Sequence, residues 1–152
     1  MIQFKVEGTA VKPEQFAVTC NLDDRGFLYQ IYGNYEDKFP SVKRIYVVGN
    51  FCKGTIRGLH KHMDEWKCYF VSNGSAKFVV IDENKNISTY ILSPKNPTML
   101  IVPPRHFHGW VSLEENTMLV GLSNKSLEES LNDDIRMDPF SFGKEAWDVK
   151  TR

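Results

Sequence analysis

The sequence predicts an all-β fold, an antiparallel sandwich or barrel, on three observations. Short runs rich in β-branched and aromatic residues recur along the chain, polar turn chemistry separates them, and a helical signal is confined to one short stretch near the C-terminal end. The strand runs are residues 42–48 (VKRIYVV), 66–72 (WKCYFVS), 76–81 (AKFVVI), 87–92 (ISTYIL), 99–102 (MLIV) and 117–122 (TMLVGL). Between the second and third lies Asn73-Gly74, which predicts a two-residue hairpin because both central positions of a type I′ turn need positive φ. Residues 82–86 (DENKN) and 93–97 (SPKNP) are polar turns of the same kind. Residues 126–131 (SLEESL) open with a Ser cap and carry Glu129 three positions on, the pattern of a capping box, which predicts a short helical segment.

The 152 residues are read as one domain, 1–152, large enough to bury a core without disulfide or metal staples. Nineteen basic and nineteen acidic residues cancel without long runs of one sign, so no nucleic-acid or anionic-membrane partner is expected, although a local cationic pocket for an anionic small molecule is compatible with that balance. No apolar segment approaches the roughly 18 residues of a membrane span. The opening MIQFKVEGTAVKPEQF lacks the apolar stretch of a signal peptide. Cys20, Cys52 and Cys68 are odd in number and without C-x-x-C spacing, which fits reduced thiols and a cytoplasmic location, with Cys68 packed in a strand.

All four histidines fall in two His-x-His pairs, His60-Lys61-His62 and His106-Phe107-His108. Residues two apart on a strand share a face, so each pair can aim both imidazoles into one pocket. Histidine moves protons near neutral pH and is also the commonest metal ligand, so both site classes open. A metal site built on such a pair wants a carboxylate a few residues after the second His. Trp66 and Lys67 stand there, and Asp64 and Glu65 follow too closely for that pattern. A protonated lysine cannot ligate a cation, but it can stabilise a substrate oxygen that becomes negative; the other reading of Lys67 is an edge-strand lysine facing water. Arg57 reads either as a bidentate clamp on a phosphate or as a surface arginine in a loop. Pro103-Pro104 makes a rigid lead into the second His pair. Among Asp133, Asp134 and Asp138, one carboxylate could fold back to orient a histidine.

Taken in order, Asp24-Arg25-Gly26-Phe27-Leu28, Arg57-Gly58-Leu59-His60, Leu92-Ser93 with Asn96, Val102-Pro103-Pro104 through His108-Gly109-Trp110, and the late Asp-rich segment closed by Trp147 resemble the dTDP-4-dehydrorhamnose 3,5-epimerase family of cupins and the related dTDP-sugar 3,4-ketoisomerases. The resemblance implies a cupin jelly roll (a double-stranded β-helix), a homodimer, a nucleotide-linked 4-keto-6-deoxyhexose substrate, and neither metal nor other cofactor. It also implies roles for residues. His60 is the base, paired with a late Asp, for which Asp138 is the first choice. Lys67 lies near the enolate oxygen, Arg57 near the phosphates, His108 lines the pocket, and Arg25 and His62 join the substrate-binding set.

One departure divides the two branches. Family epimerases supply the opposite-face acid from a Tyr thirteen residues beyond the His-Gly histidine, and counting from His108 the chain has Gly121 there. The ketoisomerases carry Arg-Gly-x-His-x-His, matched by Arg57, Gly58, His60 and His62, and a Lys-Arg-x-Tyr strand, matched by Lys43, Arg44 and Tyr46. Tyr46 is then either a proton shuttle or a core aromatic. Epimerisation at C3, C5 or both is the first reading and 3,4-ketoisomerisation the second. A cupin that binds a sugar nucleotide without turnover comes third, and a metal-dependent oxygenase is disfavoured by Lys67.

Overall fold

The computed structural model describes residues 11–33 and 38–150. The first ten residues, read above for a leader, lie outside them. In chain order the elements are β1 (Glu14–Ala17), β2 (Thr19–Asp23), β3 (Gly26–Gln30), β4 (Arg44–Asn50), β5 (Ile56–Lys61), β6 (Lys67–Asn73), β7 (Ala76–Ile81), β8 (Ile87–Leu92), β9 (Thr98–Val102), β10 (Phe107–Ser112), β11 (Thr117–Ser123), α1 (Leu127–Leu131) and β12 (Ile135–Arg136). One sheet runs β1-β9-β6-β11-β4 and the facing sheet β12-β5-β10-β7-β8, while β2 and β3 form a separate two-stranded ribbon. Every pairing is antiparallel, and the whole is the jelly roll that the motifs imply.

The central core between the sheets is built on Tyr69, Val71, Phe78, Val80, Leu100, Trp110 and Leu119. Two further clusters cover the outer faces. Cys68, Phe70, Met99 and Ile101 pack beneath the N-terminal segment, and Leu59, Val79, Ile81 and Phe107 beneath the C-terminal segment with Trp147. Strands β6 and β7 are therefore buried on both sides, which is why their sequences are near-continuous apolar runs rather than alternating ones.

The turn at Asn73-Gly74 forms, but not as the predicted hairpin. Strands β6 and β7 lie in different sheets, and of the two turn residues only Gly74 has positive φ. The chain crosses here from one sheet to the other, with the Asn73 amide donating to Asn116 O (2.8 Å) and Thr117 packed against Gly74 so closely that no Cβ would fit. Residues 82–86 do close a true hairpin between β7 and β8, whereas 93–97 carry the chain back to the first sheet. Helix α1 has the full capping box: Ser126 accepts from Glu129 N–H, and the Glu129 carboxylate takes Ser126 N–H.

Candidate active site

Where β5 passes β10, the register slips: His60 pairs with His108, but Arg57 pairs with Trp110, so β5 holds one extra residue. Gly58 makes this bulge possible. Its φ is +127°, and a Cβ there would stand 2.6 Å from Gly109 Cα and 2.9 Å from His108 O. Arg57 and His60 are three positions apart and would face opposite ways on a regular strand. The bulge turns both toward a cavity of about 600 Å³ between the two sheets.

The cavity has two chemically different walls. The β5–β10 sheet supplies His60, His62 and His108, and the facing sheet supplies Tyr46, Lys67 and Tyr69; Arg57 lies at the mouth, and Asp134 with Leu127, Ser130 and Leu131 closes one side. The ring centroid of His60 is 4.4 Å from that of His108 and 5.4 Å from that of His62.

His108 is fully committed. Its Nδ1–H donates to His106 O (3.0 Å), and its Nε2 accepts from the Tyr69 hydroxyl (3.0 Å). Burial, with His60, Lys67 and His62 acting in the same direction, holds its pKa well below the ordinary value, so it lines the pocket as a neutral ring. His62 donates Nδ1–H to Asp133 O (2.7 Å), and its Nε2 has no hydrogen-bond partner among the described residues. Burial lowers its pKa, partly opposed by Glu65. His60 makes no hydrogen bond among the described residues. Burial, then the neighbouring His62 and Lys67, push its pKa down to about 4. Both His60 and His62 are consequently neutral at pH 7 and competent to accept a proton. His106 donates Nδ1–H to Pro104 O (2.9 Å) and is not among the cavity-lining residues, a structural histidine.

Lys67 is buried, not an edge lysine facing water. Its ammonium lies 2.7 Å from Glu65 Oε1 and 5.4 Å from the centre of the Tyr46 ring. Burial lowers its pKa, and the hydrogen bond to Glu65 opposes the fall. Arg57 is pinned by Nε–H to Asn50 Oδ1 (2.7 Å) and Nη2 to Gly49 O (3.1 Å), which leaves part of its guanidinium facing the opening.

The empty position at Gly121 has a physical explanation. Gly121 pairs with Tyr46 on one side and Tyr69 on the other, and a Cβ on Gly121 would lie 2.3 Å from Tyr46 Cζ and 2.7 Å from its hydroxyl oxygen. The phenol of Tyr46, reaching over from the neighbouring strand, occupies the space that a side chain on residue 121 would need. Burial raises the Tyr46 pKa, with the adjacent Tyr69 hydroxyl partly offsetting it, so the group is a protonated donor at neutral pH.

Two expected residues lie elsewhere. The Asp138 carboxylate is exposed and accepts Phe140 N–H (2.8 Å), outside the cavity; Asp134 lines it instead, bonded to Arg136 Nε (2.7 Å). Asp133 caps the chain after β5 through Met63 N–H and Asp64 N–H. Arg25 sits at the tip of the β2–β3 ribbon, its side chain 86% exposed and paired with Asp23, away from this cavity. Sequence reasoning missed Tyr69, quoted Arg44 only as part of a motif, and set Glu65 aside. The signal for Tyr69 was its spacing of two from Lys67, and Arg44 stands two before Tyr46.

The family model for dTDP-4-dehydrorhamnose 3,5-epimerase matches residues 9–145. The chain belongs to that family. Its fold is shared with the dTDP-4-dehydrorhamnose 3,5-epimerase of Bacillus anthracis, solved with TDP and PPi bound, at 25% identity and a TM-score of 0.78 over 91% of this chain and 86% of that one. The same fold is found in the 3,4-ketoisomerase of Helicobacter canadensis (21% identity, TM-score 0.72, 90% and 98% covered). It recurs in that of Thermoanaerobacterium thermosaccharolyticum, in complex with TDP (23%, 0.71, 88% and 93%). No curated protein matches the chain by sequence. The family places the chain among the isomerases of dTDP-sugar biosynthesis.

Proposed function

We propose that the chain epimerises a nucleotide-linked 4-keto-6-deoxyhexose at C3, C5 or both through an enolate, as one domain over residues 1–152. The observation that supports this is the division of the cavity: neutral imidazoles on one wall and a protonated phenol with an ammonium on the other. A ketone at C4 acidifies the adjacent C–H bonds. His60 takes the proton, the C–H electron pair moves into the ring and onto O4, and Lys67 stabilises the oxyanion. The Tyr46 phenol, presented from the facing sheet, returns a proton to the opposite face and inverts the centre. Asp134, a cavity-lining carboxylate whose charge acts on His60, takes in this reading the part first expected of Asp138, and Arg57 at the mouth is suited to the diphosphate.

The second reading, 3,4-ketoisomerisation, is supported by His60 and His62 standing side by side on one wall, where they can pass protons between C3 and C4 on a single face. Incubation with dTDP-4-keto-6-deoxyglucose in deuterated water, read by NMR, separates the readings. Deuterium at C3 or C5 supports the epimerase, and migration of the carbonyl to C3 supports the ketoisomerase. Binding with neither exchange nor product leaves a sugar-nucleotide-binding module.

We further propose a cytoplasmic homodimer. Leu22, Phe27 and Leu28 on the β2–β3 ribbon and Ile45 and Val47 on edge strand β4 are exposed apolar side chains that a second copy would cover. A role for Arg25 toward substrate depends on such a partner, and light scattering tests the state directly.

A further inference from the structure

Beneath the His62 and Lys67 side of the cavity lies a carboxylate to which the reaction above assigns no part. The Glu65 side chain is fully buried. Its Oε1 gathers three donors: Lys67 Nζ at 2.7 Å, Arg44 Nη2 at 3.2 Å and the Ser123 hydroxyl. Among the described residues its Oε2 accepts no hydrogen bond, and it stands 3.1 Å from His62 Nδ1, whose hydrogen is directed at Asp133 O. One oxygen is thus saturated, while the other presents negative charge to a single imidazole. Burial acts to raise the Glu65 pKa, but the hydrogen bonds from Lys67 and Ser123 outweigh it, so the group is a carboxylate at neutral pH.

Resting on the isomerase reading, we propose that Glu65 is a positioning residue that makes His62 a histidine–carboxylate pair and fixes the Lys67 ammonium beneath the enolate oxygen. The arrangement divides the work between the two oxygens. Oε1 holds Lys67 in place through a bond that keeps it protonated. Oε2 provides the field that stabilises His62 when its bare Nε2 takes up a proton, because Nδ1–H stays anchored to Asp133 O and the new positive charge forms beside an uncompensated oxygen. Among the described residues no carboxylate oxygen stands this close to His60, on which Asp134 acts from farther across the cavity wall. His62 is therefore the ring of this pair better able to hold, through the rest of the cycle, the proton that His60 takes from the substrate. Arg44 couples the carboxylate to α1, since the same guanidinium donates to Ser126 O and to Ser130 Oγ.

The charged and titratable groups facing His62 are Glu65 before β6, Lys67 on β6, Asp134 after α1, and the rings of His60 and His108. Only the two carboxylates among them favour its protonated form, and Asp134 is itself bonded to Arg136. In the ligand-free wild-type protein with isotopically labelled histidine, an NMR titration should show His62 titrating above His60; His62 at or below His60 overturns the proposal. In Glu65→Gln, loss of the charge should move the His62 midpoint down by about one pH unit or more. Both limbs of the kcat/KM pH profile should shift to lower pH, since His62 and Lys67 each lose a stabilising anion, and Glu65→Asp should restore part of the shift. A folded Glu65→Gln protein with unmoved limbs also overturns it. Because the wild-type titration uses no substrate, its failure is distinct from failure of deuterium exchange, and it decides the matter if Glu65→Gln does not fold.

Discussion

If Tyr46 fills the place left by Gly121, the two positions must be energetically coupled, and that coupling can be measured. A methyl at residue 121 would stand 2.3 to 2.7 Å from two ring carbons and the hydroxyl oxygen of Tyr46, well inside van der Waals contact. The ring is backed by Arg44 and Lys67, with cationic centres 5.3 and 5.4 Å from its centroid, and packs on the central core, so it must move as a unit. Overpacking of this kind costs about 1–3 kcal/mol. For a domain of this size that lowers Tm by roughly 2–12 °C. Gly121→Ala should therefore be destabilised and slowed, since the phenol is displaced from its seat. In a Tyr46→Ala background the same methyl enters vacated space and should cost nearly nothing. Urea unfolding of wild type, both single variants and the double variant then yields an interaction energy of about 1–3 kcal/mol in the direction of mutual relief. A transplant sharpens the test: Tyr46→Ala combined with Gly121→Tyr returns a phenol to the same space from the adjacent strand and should recover activity lost in Tyr46→Ala. Additive destabilisation, or a transplant no better than Tyr46→Ala, would refute the view that one phenol replaces the other.

Removal of His60 by His60→Ala should abolish deuterium exchange while circular dichroism and Tm report an intact fold; persistent exchange would move the base to His62. Gly58→Ala adds a Cβ against the backbone of Gly109 and His108 at a residue with φ of +127°, neither of which can yield, and should cost more than about 3 kcal/mol, read as loss of soluble protein or a Tm fall of roughly 6 °C or more. Acid should weaken the fold through the histidines. His60 binds a proton less readily folded, at about 4, than unfolded, at 6.5, so the unfolded chain takes up more protons and stability is lost as pH falls from 6.5 through about 4. That interval is worth at most about 3 kcal/mol, and urea midpoints followed across it should fall less steeply in His60→Gln. Asp138→Asn should leave turnover unchanged while Asp134→Asn slows it, and the reverse result would show that the Asp138 segment closes onto substrate.

Most of the sheet framework was legible because its strands carry their own signals. The runs at 76–81 and 87–92 coincide with β7 and β8, and the other four lie within two residues of the observed strands. Three elements at the margins were not legible: β1, β2 and β12 are short, and their side chains are mostly half or fully exposed, so no apolar pattern marks them. The Asn73-Gly74 turn was visible, but its partner strands were not, since a local turn signal says nothing about which sheet each arm joins. At the site, the histidines and Arg57 were found from motif order, and Lys67 from its place after the His pair. Its burial was invisible because Glu65, the anion that makes it tolerable, reads in sequence as one more charge in a polar loop. Tyr46 over Gly121 could not be foreseen, because the pairing of β4 with β11 joins residues far apart in the chain.

The bulge at Gly58 carries a consequence for how this pocket can change. A strand normally offers alternate residues to a ligand, so contacts come in steps of two. The extra residue acts as a phase shift, letting a six-residue strand present Arg57 and His60 to the same cavity while Leu59 seals the opposite core. Phosphate grip and proton transfer are thereby set on one rigid segment with a fixed offset between them. Straightening the strand with its residue count unchanged would send one of the two functions out of the cavity, whereas deleting the extra residue would leave them two apart on one face but closer together, so the separation between anchor and base behaves as a ruler whose length is set by one glycine.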